Sequence, residues 1–91
     1  MKLDDALFNW LQIKTVADAR PNDNAAKETA DFFYTILTED HQVSQLRVDS
    51  IGADMLQIVY EVSGEIRKKS FDRQMTEQLL HDSNENPKYN E

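Results

Sequence analysis

Apolar positions along this 91-residue chain change period twice, from helical to alternating and back. Leu3, Ala6, Leu7, Trp10, Leu11, Ile13 and Ala17 fall on one broad arc at helical spacing, which predicts a first helix over 3–18. Phe8 and Val16 lie off that arc, and Lys14 and Asp18 lie within it, so its buried stripe should fade in the last turn. Arg20-Pro21 closes the element, because a residue before proline is pushed out of the α region. Asn22-Asp23-Asn24 then offers side-chain acceptors for the next helix, with Asp23 or Asn24 as its cap. The second helix is expected over 24–38, with Ala26, Ala30, Phe33 and Leu37 along its centre and Lys27, Glu28, Asp31 and Thr35 opposite. A short connection favours an antiparallel helical hairpin.

Beyond His41 the period becomes two. Ser44, Leu46, Val48 and Ser50 alternate with Gln45, Arg47 and Asp49, which predicts a first strand. After the Ile51-Gly52-Ala53 turn, Leu56, Ile58, Tyr60 and Val62 alternate with Gln57, Val59 and Glu61 in a second strand. Ser63-Gly64 returns the chain into Glu65-Ile66-Arg67-Lys68-Lys69 as an antiparallel hairpin. A two-residue turn would leave Ile66 beside Glu61 on the polar face. A three-residue loop, Val62-Ser63-Gly64 with Gly64 as a left-handed bulge, sets Glu61 opposite Glu65 and Tyr60 beside Ile66. The second register keeps Ile66 apolar-side and is the expected one.

Ser70 or Asp72 can cap a third helix reaching Asp82, with Phe71, Met75, Leu79 and Leu80 inward. Residues 83–91 lack an apolar face and read as a disordered acidic tail, leaving residues 1–82 as one domain. The fold class is α+β, order α-α-β-β-β-α, a three-stranded antiparallel meander with all helices on one face. That face should carry Leu46, Val48, Leu56, Ile58, Tyr60, Val62 and Ile66. The other should present Gln45, Arg47, Asp49, Gln57, Val59, Glu61, Glu65, Arg67 and Lys69 to water.

Charge narrows the function classes. The net charge of −7 is concentrated in residues 21–41, where five acids meet Lys27 alone, and in the last twenty residues. Direct nucleic-acid binding is disfavoured, since phosphate affinity rests on clustered Lys and Arg. There is no cysteine, hence no disulfide scaffold, thiolate zinc site or cysteine nucleophile, which fits a reducing cytoplasm. No apolar stretch approaches the ~20 residues of a membrane span, and no signal-type apolar segment stands at the N-terminus.

Candidate chemistry is sparse. Glu77 and His81 share a helical face but lack further ligands at suitable spacing, so an exposed i,i+4 pair is the simpler reading. The acid groupings Asp4-Asp5, Glu28/Asp31 and Glu39-Asp40 sit on polar faces or helix ends, where solvated carboxylates are ordinary. Two glycines, Gly52 and Gly64, cannot build a phosphate loop, and no serine lies in a nucleophile elbow. No catalytic, cofactor or metal residue is expected. Phe8 and Phe32, at the margins of their helices, could form an apolar contact patch.

The expectation is therefore a non-enzymatic cytoplasmic interaction or regulatory module binding a protein partner. Its candidate contacts are Arg47, Glu61, Arg67 and Lys69 on the polar sheet face, with Arg67-Lys68-Lys69 the one basic concentration. The alternative is an acidic inhibitor, immunity-type protein or nucleic-acid mimic that meets a basic partner through Glu28, Asp31, Glu39 and Asp40. A third option is a homodimer paired through the edge of the strand at 65–69.

Overall fold

The computed structural model describes residues 1–78. Helices α1 (Leu3–Ala19) and α2 (Asn24–Thr35) lead into a π-helical turn (Ile36–Asp40). Strands β1 (Val43–Ile51), β2 (Met55–Val62) and β3 (Glu65–Asp72) form an antiparallel sheet in the order β1-β2-β3, followed by the short helix α3 (Arg73–Thr76). This is the expected α+β meander. Leu79, Leu80 and His81, the end of the expected third helix and the tail lie outside the described residues.

Local chemistry explains the helix starts. The Asp23 carboxylate accepts from the Ala26 amide at 3.0 Å, satisfying a donor that the first turn of α2 leaves open. Asp72 does the same for α3, accepting from the amides of Gln74 (2.8 Å) and Met75 (3.3 Å). The α-helical part of α2 stops at Thr35, earlier than the periodicity suggests, and the following π turn carries the fully buried Leu37.

The core lies between α1 and one face of the sheet. Ala6, Leu7, Trp10 and Leu11 of α1 meet Val43, Leu56, Ile58 and Tyr60, with Leu37 closing one side. Phe33, Ile36, Leu46, Val48, Val62 and Phe71 pack around its margin. Because α1 packs on α2 as well as on the sheet, its buried surface is wider than one arc, and Val16 is buried against expectation.

Three features correct the expected sheet. First, the β2–β3 connection is a two-residue turn, pairing Val62 with Glu65, Glu61 with Ile66 and Tyr60 with Arg67. Ser63 (φ 55°) and Gly64 (φ 81°) both adopt positive φ, as the favoured two-residue hairpin turn requires. Second, β3 runs on to Asp72, so Phe71 belongs to the strand and stands opposite Leu56. Ile66 and Phe71 have opposite parity, so one register cannot bury both. The larger aromatic is turned towards α1, where it lies 5.5 Å from the Phe8 ring, and Ile66 is left 72% exposed. Third, β1 is bulged. Ser44 pairs with Glu61 and Arg47 with Val59, so Gln45 and Leu46 together oppose Tyr60. The bulge reverses parity within the strand, turning Ser44 away from the core and letting Val43 enter it.

In α3, Thr76 rather than Met75 is inward. Thr76 is fully buried with its hydroxyl donating to the Arg73 carbonyl at 2.8 Å, and Met75 is 61% exposed.

Candidate functional site

The pairings arrange the helix-free face of the sheet in four cross-strand rows. These are Ser44-Glu61-Ile66, Arg47-Val59-Lys68, Asp49-Gln57-Ser70 and Ile51-Met55-Asp72. In the second row Val59 is buried although none of the described helices covers it. Directly opposed side chains on a sheet sit about 4.5–5.5 Å apart, so the aliphatic stems of Arg47 and Lys68 flank it on both sides.

The β1 bulge shapes this face. Gln45 takes a left-handed φ of 53°, and the strand bends where two residues oppose one. An open concavity of about 550 Å³ lies here, lined by Gln45, Leu46, Arg47, Val59, Tyr60, Glu61, Ile66 and Lys68. Its floor is apolar and its rim carries both charge signs. Arg47 leans towards Asp49 (3.3 Å), and Glu61 accepts a long hydrogen bond from the Ser44 hydroxyl (3.4 Å). Lys68 makes no ion pair among the described residues.

The structure divides the sequence-derived candidates. Arg47 and Glu61 stand together at the concavity. Arg67 and Lys69 lie on the opposite, helix-bearing side, at its exposed edge, because the two-residue turn reverses the parity of β3. There Arg67 lies 3.6 Å from Glu65, and Lys69 reaches Asp4 of α1 at 3.5 Å. Glu28 and Asp31 are exposed on α2, which packs against α1. Periodicity placed Ile66 on the apolar side and gave Lys68 only as part of a basic run, not as open-face residues beside Glu61 and Val59. The signal that finds them is Phe71, since a strand extended to that residue must place 66 and 68 on the other face.

A second concavity, of about 400 Å³, lies between α1 and the helix-bearing face, with Leu11, Val48 and Leu56 at its base. Its charges pair among themselves, Lys14 with Asp18 at 2.6 Å and Arg73 with Glu77 at 3.7 Å. Arg73 also donates to the Ser50 hydroxyl at 2.9 Å, while its Nε is buried with no hydrogen-bond partner among the described residues.

The open face offers an apolar floor, two cations and a carboxylate. His41 is elsewhere, bonded through Nε2 to the Met1 carbonyl at 2.8 Å. Among the described residues no group of three or more histidines and carboxylates is placed to hold a metal ion, and no helix is long and apolar enough to cross a membrane. Comparison with protein-family models, curated proteins and solved structures found no match to this chain.

Proposed function

We propose that this chain is a non-enzymatic protein-interaction module whose contact surface is the open sheet face at the β1 bulge. The observation that carries this reading is Ile66, 72% exposed beside the Val59 floor and next to Lys68, which makes no ion pair among the described residues. An apolar patch with a charged rim suits a protein contact, in which the apolar centre excludes water and the rim selects the partner. The fitting partner segment presents an apolar side chain next to a carboxylate, the first for Val59 and Ile66, the second for Lys68 and Arg47. The cysteine-free composition agrees with action in the cytoplasm.

A quantitative affinity capture from the native host tests this, comparing the full chain with an Ile66→Asp/Lys68→Glu variant of unchanged circular dichroism. A partner retained by the first and lost from the second is the expected result. Equal retention by both would overturn the reading.

A second reading is favoured by one observation: Glu28, Asp31, Glu39 and Asp40 are exposed and carry no ion pair among the described residues. They suit a basic partner met in the manner of an acidic inhibitor. Such a complex would survive the Ile66→Asp/Lys68→Glu change and weaken steeply with salt.

A further inference from the structure

Among the described residues the sheet has two free edges, and they are protected unequally. The β3 edge carries the run Arg67-Lys68-Lys69, and lysine-rich edges resist pairing with another strand. The β1 edge between the bulge and the Gly52 turn carries only Leu46-Arg47-Val48-Asp49-Ser50. We infer that this β1 edge is a self-association surface, occupied by the β1 edge of a second copy of the chain.

Two identical antiparallel strands related by a two-fold axis must pair residues of the same face, so the axis passes through a residue. With the axis at Arg47, arginine faces arginine. With the axis at Asp49, aspartate faces aspartate. With the axis at Val48, Arg47 of each copy faces Asp49 of the other, Leu46 faces Ser50, and the half-buried Val48 meets its own copy. Arg47 and Asp49 already share the open face at 3.3 Å and are 67% and 47% exposed, so both can exchange an internal partner for an external one.

The β3 edge has no equal register. Axes at Arg67, Lys68 or Lys69 each set cation against cation. An axis at Ile66 joins only three residues of each strand, since β3 begins at Glu65. An axis at Ser70 needs Asp72 opposite Lys68, and that carboxylate already caps α3.

The dimer would be one six-stranded sheet with both open faces on the same side. Arg47 is shared with the open-face concavity, whereas Val48 and Asp49 do not line it, so Asp49→Arg and Val48→Cys test the dimer apart from the open-face reading.

The test uses the full chain in analytical ultracentrifugation over a concentration series. The expected result is a monomer–dimer equilibrium in which Arg47→Asp and Asp49→Arg each weaken association about tenfold or more, through like charges placed opposite each other. An equimolar mixture of the two variants should regain the original association, because every cross-copy contact is again Arg–Asp. Failure of the mixture to recover, or a monomer at every concentration, would overturn the proposal. A second measurement does not depend on charge. The chain has no cysteine, so a Val48→Cys variant should form a disulfide-linked dimer on mild oxidation, the opposed Cα atoms being within bridging distance. Cross-linking by Ser70→Cys in place of Val48→Cys would assign the contact to β3 instead.

Discussion

Ile66 stands directly opposite Glu61 across the β2–β3 ladder, on the face of the sheet away from the described helices. An isoleucine beside a glutamate in open solvent looks like a misplaced side chain until the rest of β3 is considered. Ile66 and Phe71 compete for the helix-bearing face, and α1 offers its aromatic contact, Phe8, to Phe71. The competition is decided by apolar area, and its by-product is an exposed aliphatic residue next to Lys68.

That competition predicts unequal costs of truncation. Ile66→Ala should change stability by less than about 0.5 kcal/mol, as surface substitutions generally do. Phe71→Ala, at a half-buried position packed on the core, should cost on the order of 2 kcal/mol, somewhat below the range for fully buried aromatics. Urea denaturation of both variants checks this; the reverse ranking would restore the register with Ile66 inside.

The turn makes its own prediction. Ser63 sits at φ 55°, a conformation that Asn tolerates and β-branched residues avoid. Ser63→Asn should be neutral or stabilising by a few tenths of a kcal/mol, and Ser63→Val should destabilise by about 1 kcal/mol or more. Thermal melts of the two variants are enough. A three-residue loop, with positive φ confined to Gly64, would leave Ser63→Val nearly silent.

The cap of α2 predicts a third outcome. Removing the Asp23 acceptor in Asp23→Ala leaves the Ala26 amide without its side-chain partner and should cost about 0.5–2 kcal/mol, while Asp23→Asn should cost much less. Amide exchange at Ala26 localises the effect: protection there should fall in Asp23→Ala and survive in Asp23→Asn.

The candidate surface was only half legible from residue order. Arg47, Val59 and Glu61 belong to strands whose alternation places them correctly on the water-facing side. Lys68 was legible only as part of a basic run and Ile66 was placed on the apolar side, because their face depends on how many residues the turn spends and where β3 ends. Arg67 and Lys69 were assigned to the wrong side for the same reason. The β1 bulge was equally hidden, since Ser44, Leu46, Val48 and Ser50 alternate without interruption. Only pairing with β2 shows that Val43 takes the buried place and Ser44 gives it up.

Element order, the Asp23 cap, the hairpin and the acidic balance follow from residues close together in the chain, because propensity, capping and side-chain period act over a few positions. The faces are another matter. A period of two has no preferred sign until something packs against one side, and a shift of one residue inverts every side chain at once. The contact of α1 with Phe71 chose that sign for β3, and the bulge chose it within β1. Together they brought Ile66, Lys68 and Arg47 to one surface.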